Sequence, residues 1–192
     1  MALSETQNKL LGKGRIDIAG EINREMAWYV REALRQLLAD GNPPVTITIQ
    51  SGGGNAEIGL DIHDVIRFYP GITVGVAMVA AGSAACTILQ ACDWRVSTPN
   101  GHILIHHTKF EVGWDVLSDD DKLRKFRESK RRLMNSKELL ARRTKRALDE
   151  VLRKCDEDEW FSAKEALEFG LLDQIVETPD EITVPEKKVG AA

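Results

Sequence analysis

The chain is poor in several features that would give a function away. It has three cysteines in 192 residues, Cys86, Cys92 and Cys155, an odd number without metal-ligand spacing. That excludes a disulfide framework and a structural zinc site, and it points to a reducing, cytoplasmic compartment. There is no excess of positive charge, since the formal net charge is −4 and the pI about 5.6. A nucleic-acid partner is therefore not expected. The basic cluster from Arg124 to Arg132 is interleaved with acids and reads as a solvated helix face. The N-terminus, MALSETQNKLLGKG, has no positive head, long apolar core or cleavage site, so no signal peptide is expected. Neither the dinucleotide GxGxxG spacing nor a P-loop lysine is present, and no cofactor, ATP or metal is expected. No residue between Arg67 and Asp93 is charged, but Pro70, Gly71, Gly75 and Gly82 break that run. A membrane span is not expected there.

What is present suits one soluble domain with a sizeable core, at 43% hydrophobic and 29% charged residues. A short strand is expected over Gly14–Gly20, a helix over Asn23–Asp40 stopped by Gly41, and a strand over Val45–Ile49 leading into Ser51-Gly-Gly-Gly54. Helix resumes at Asn55. Ile72, Thr73, Val74 and Val76 open a strand that meets the small-residue corner Ala80 to Ala85, and a buried helix follows to Cys92. A strand through Val96 and another over His102–Thr108 come next. A long helix from Ser118, opened by a capping-box variant, runs to about Thr144. Its thin apolar stripe predicts a projecting arm that meets another subunit. A short helix, Arg146–Cys155, precedes an acidic run. Ser162 to Glu165 forms a capping box for a helix ending at Gly170, with a final strand over Asp173–Glu177. This alternation predicts an α/β core of successive ββα or βαβ turns.

The chemistry concentrates at the corner. Ser83 stands where strand turns into helix, a position whose unpaired N–H groups favour an anion. Alone, a serine among alanines commonly marks only a need for small size. Strand alternation puts His106 and His107 on opposite faces, so one histidine can be carried toward the corner. The glycines at 52 to 54 can turn backbone N–H groups toward a ligand oxygen. Of the acids, Asp156, Glu157, Asp158 and Glu159 are all open candidates to orient a histidine.

Read in order, SGGG, AAGSAAC, PNGHILIHH and CDEDEWFSAKEALEFGLLDQIVE resemble the landmarks of the Clp-type serine peptidases over roughly Arg15 to Glu177. The resemblance implies the ClpP/crotonase fold, with a short N-terminal segment (1–14), one peptidase domain (15–177) including an arm (108–144), and a loosely held tail (178–192). It also implies Ser83 as nucleophile, His106 as base and Asp158 as the acid that orients it. The backbone N–H groups of Gly54 and Ala84 would form the oxyanion hole, and Gly53, Thr108, Lys109 and Phe110 would contact an extended substrate strand. The partners it implies are further copies of the chain in a heptameric ring, single or stacked in two, a peptide or protein substrate, and an ATP-dependent unfoldase.

The chain departs from that pattern in places. Only about a dozen residues precede Arg15, the Ser83–His106 interval is about two residues short, and His107 to Gly113 replaces a glycine-rich turn. Glu157 stands where the family carries an arginine that pairs the two rings. Such shortened forms resemble the ClpP-like head maturation proteases of phages. Two rival readings keep the fold: a non-catalytic structural subunit of a Clp-like ring, and a crotonase-type acyl-CoA enzyme, which ACDWR at Ala91–Arg95 resembles.

Overall fold

The computed structural model describes residues 2–107 and 119–184. It begins with a helix absent from the sequence expectation, α1 (Glu5–Leu11), started by a capping box between Ser4 and Gln7. Leu3 and Leu11 are buried in the main core. Then follow β1 (Arg15–Ala19), α2 (Arg24–Ala39), β2 (Val45–Ser51), α3 (Ala56–Arg67), β3 (Thr73–Gly82), α4 (Ala84–Leu89), β4 (Trp94–Ser97) and β5 (His102–Ile105). The remainder is α5 (Asp119–Thr144), α6 (Leu148–Asp156), β6 (Glu159–Ser162), α7 (Ala163–Phe169) and β7 (Gln174–Ile175). The alternation gives the expected α/β class.

The sheet runs β1-β2-β3-β4-β7, all parallel, and it forks at β3. The first half of β3, Val74–Ala77, pairs with β4, while Ala80–Gly82 pairs with β5, again in parallel. β5 in turn pairs with β6 in antiparallel fashion, from His102 opposite Ser162 to Ile105 opposite Glu159. The fork explains two departures from expectation. β3 stays extended through Ala80–Gly82 because β5 supplies a ladder there, so the corner narrows to Ser83 itself. β5 ends at Ile105 rather than running to Thr108, because the His107 N–H leaves the ladder to bond the Cys155 carbonyl. β6 is not in the sequence expectation, where Glu159 ends the acidic run and Ser162 opens the capping box; pairing with β5 makes Glu159–Ser162 a strand.

Local chemistry sets the helix ends. Asn23 and Asn55 cap α2 and α3 by accepting from the N–H groups of Met26 and Ile58, at 3.0 Å each. Ser162 and Glu165 form the expected capping box, and α7 stops at Gly170 in the left-handed region, φ +91°. The capping residue expected for α5, Ser118, lies outside the described residues. The C-terminal part of α5 packs on the domain through Ser136, Lys137, Leu139 and Leu140, while Leu123 and Phe126 near its start are exposed. Among the described residues, no helix is long and apolar enough to cross a membrane, and no cluster of His, Cys, Asp or Glu is arranged to hold a metal ion.

One buried polar network ties the C-terminal elements to the sheet. The Arg95 guanidinium donates to both oxygens of Asp173 at 2.8 and 2.6 Å, to Gln90 Oε1 at 2.6 Å and to the Gly170 carbonyl at 2.7 Å. Gln90 Nε2 continues it to the Leu171 carbonyl. Every guanidinium contact here meets an oxygen, which is what lets the charge stay buried. Removing the Asp173 carboxylate would leave that charge short of its counter-ion. Asp173→Ala is therefore expected to destabilise the domain by about 3 kcal/mol, read from the midpoint of urea denaturation at unchanged slope.

Candidate active site

The site is built where the fork in the sheet meets a helix end. The Ser83 N–H donates to the Leu104 carbonyl at 2.9 Å, so the corner is pinned to β5. Its backbone lies at φ +54°, ψ −117°, a conformation unfavourable for a residue with a side chain. A serine preceding a helix ordinarily caps it. Ser83 makes no such bond; its hydroxyl lies 2.7 Å from His106 Nε2 instead. The unusual torsions turn the hydroxyl away from the helix and toward the imidazole.

His106 follows the last residue of β5 and is about half-buried, while His107 points outward and meets Asp156 at 2.8 Å. Asp158, in a left-handed conformation at φ +49°, places Oδ1 3.7 Å from His106 Nδ1. That is too long for a hydrogen bond and close enough for attraction to an imidazolium. Of the four acids left open by the sequence, Asp158 is the one that faces His106, while Asp156 serves His107.

Gly53 and Gly54 split their tasks. Gly53, at φ +113°, lies against the corner: a Cβ built there would sit 2.8 Å from Ser83 Cβ and 2.9 Å from the Gly82 carbonyl oxygen. Its N–H is engaged by Ser51 Oγ at 3.1 Å. Gly54 packs on Ile22, which bridges it, and no acceptor for the Gly54 N–H is found among the described residues. The Ala84 N–H, in the first turn of α4, has no intrahelical acceptor by geometry. Ala84 itself is held by α3, since Gly59 brings its backbone so close that a Cβ would lie 2.9 Å from Ala84 Cβ. Thr108, Lys109 and Phe110 lie outside the described residues.

The sequence reading missed the contribution of α5. Ser136, Lys137 and Leu140 line a small cavity beside Ser83 and His106, opposite Thr87. Lys137 Nζ donates to the His106 carbonyl. The available signal was a polar Ser-Lys pair one turn before Leu140, within a helix segment otherwise turning apolar.

A serine hydroxyl held on an imidazole at a strand-to-helix corner, with a carboxylate behind the ring, is the constellation of a candidate serine hydrolase site. Comparison with known proteins gives the family. A model of the Clp protease family matches residues 2–179. The ATP-dependent Clp protease proteolytic subunit 2 of Treponema denticola is 33% identical over 182 residues, covering 93% of this chain and 88% of the relative. The corresponding subunit of Paracoccus denitrificans is 28% identical over 184 residues, 93% of this chain and 89% of its own length. A point variant of ClpP1 from Listeria monocytogenes superposes with a TM-score of 0.78 at 32% identity, covering 91% of this chain and 98% of that one. The chain belongs to the Clp protease family, and it is a serine-type endopeptidase.

Because Gly53 touches the corner with backbone atoms on both sides, even a methyl group there must displace Ser83. Gly53→Ala is expected to lower kcat/KM on a fluorogenic peptide by about a hundredfold, with the circular dichroism spectrum unchanged.

Proposed function

We propose that the chain cleaves extended or unfolded polypeptides through an acyl-enzyme formed at Ser83. The observation that carries this reading is the 2.7 Å contact between Ser83 Oγ and His106 Nε2. His106 takes the hydroxyl proton as Ser83 attacks the scissile carbonyl, then returns it to the leaving amine. Asp158 stabilises the imidazolium that forms in between and favours the tautomer with a proton on Nδ1. The Gly54 and Ala84 N–H groups receive the oxyanion, where each donor contributes on the order of a hundredfold or more in rate. Water repeats the sequence to release the acid. A crotonase-type site would have no use for a serine bonded to a histidine, and a structural subunit would have no use for an intact set.

The same proposal extends to assembly and surroundings. The peptidase domain spans residues 15–177, and its arm (108–144) meets neighbouring copies in a heptameric ring, single or doubled. Exposed Leu123 and Phe126 near the start of α5 support such a contact. Gly53, Thr108, Lys109 and Phe110 would hold the substrate strand. Relatives are named ATP-dependent; this chain has no P-loop lysine, so ATP use would fall to a separate unfoldase. Cytoplasmic placement is supported by three buried free thiols, two of which burial pushes up to about 12 in pKa.

Ser83→Ala and His106→Ala are each expected to abolish cleavage of an unfolded substrate such as β-casein, at unchanged assembly by analytical ultracentrifugation. Asp158→Asn should retain a residue of activity, with kcat lowered by about 10²–10⁴. Full activity in Ser83→Ala would contradict the reading.

A further inference from the structure

His106 stands one residue past the end of a ladder. The pairing of β5 with β6 closes at Ile105 opposite Glu159, and beyond that point the backbone carrying the base is gripped from two helices. The His106 carbonyl and the His107 N–H belong to one peptide group, which is planar and turns as a unit. Lys137 Nζ, on α5, donates to its oxygen, and the Cys155 carbonyl, on α6, accepts its N–H at 3.3 Å. The same Cys155 carbonyl accepts the Asp158 N–H at 3.4 Å. The peptide after the base is thus clamped at both ends, and one of the clamps also carries the acid.

Stability does not account for the lysine. Lys137 is buried, at 7% exposure, and among the described residues no carboxylate lies within ion-pair distance of it. Burial raises the pKa of the neighbouring Cys155 thiol, so that group supplies no counter-charge. An ammonium taken out of water without a counter-ion is costly, and an apolar side chain of similar length would pack there at less cost. What the ammonium adds is a charge-assisted bond to a carbonyl, about twice as strong as one from a neutral donor. We propose that Lys137 is a positioning residue for the peptidase reaction: it fixes the peptide plane that follows His106, and with it the direction in which the imidazole meets Ser83. The 2.7 Å contact between His106 Nε2 and Ser83 Oγ is the geometry it holds. With the clamp released the plane can turn, and a displacement of about 1 Å at the imidazole is enough to cost about a hundredfold in rate. This inference rests on the reading of Ser83 as the nucleophile and His106 as its base.

The test is the rate at which a fluorophosphonate labels Ser83, together with kcat and KM on a fluorogenic peptide, in the assembled wild type and in Lys137→Met, Lys137→Gln and Lys137→Arg. Labelling separates two ways of losing activity: partial unfolding lowers the amount of Ser83 that labels, while a misdirected base lowers the rate constant of what does label. Lys137→Met is expected to slow labelling and kcat together by about tenfold to a hundredfold, at unchanged KM and unchanged labelling stoichiometry. Lys137→Arg keeps the charge and the donors and is expected to recover most of that loss, with Lys137→Gln, a neutral donor, between the two. Should Lys137→Met fail to fold, the order of Lys137→Gln below Lys137→Arg makes the same comparison. A wild-type rate constant in Lys137→Met, a loss confined to KM, or an equal loss in all three variants would overturn the inference. In each of those cases labelling of the wild type at Ser83 leaves the peptidase reading standing. Absence of both labelling and cleavage in the wild type would remove that reading and this inference with it.

Discussion

The forked pairing of β3 is the constraint on which the site depends. β3 gives its first half to β4 and its last three residues to β5, and this arrangement delivers Ser83 and His106 to the same point. The Ser83 N–H to Leu104 carbonyl bond closes the fork at the Ser83 end. It holds a serine in torsions that a free chain would avoid, and those torsions send the hydroxyl to the imidazole instead of to the helix it precedes. The cost of such a residue is about 1–3 kcal/mol, and the surrounding β3–β5 ladder, the Gly53 approach and the Gly59–Ala84 contact hold it in place.

The chemistry follows from how unequal the two histidine contacts are. Ser83 and His106 are already bonded, while Asp158 stands 3.7 Å from the ring. In the proposed mechanism that geometry has the carboxylate act through charge and orientation, most of all when the imidazole becomes cationic. His106 is also held through its backbone: Lys137 fixes its carbonyl, and the neighbouring His107 N–H is tied to the Cys155 carbonyl. α5 and α6 therefore position a residue that belongs to neither.

The sheet-forming stretches and the corner at Ser83 were legible in the sequence because each carries a local signal. Val45–Ile49 and the β-branched run at Ile72–Val76 announce strands, Asn23, Asn55 and Ser162 announce helix starts, and the small residues around Ser83 announce a tight corner. Alternation showed only that His106 and His107 face opposite ways; the choice of His106 came from the resemblance, and the structure puts it beside Ser83 although β5 ends at Ile105 rather than Thr108. What escaped depends on contacts distant in the chain. β6 becomes a strand only beside β5, and α1 only shows its value where Leu3 and Leu11 reach the core. Asp158 could not be told from its acidic neighbours by the residues alone; the resemblance singled it out, and in the structure it is the acid that faces His106. Lys137 reads as one more charge on a charged helix, and only folding reveals that it is buried beside the nucleophile.

The central claim is that Ser83 is an activated nucleophile because His106 accepts from its hydroxyl. The most direct test is stoichiometric labelling of the assembled protein with a fluorophosphonate, mapped by peptide mass analysis. Modification confined to Ser83, and absent from His106→Ala of the same assembly state, is the predicted result. Equal labelling with and without His106, or modification at another serine, would contradict it.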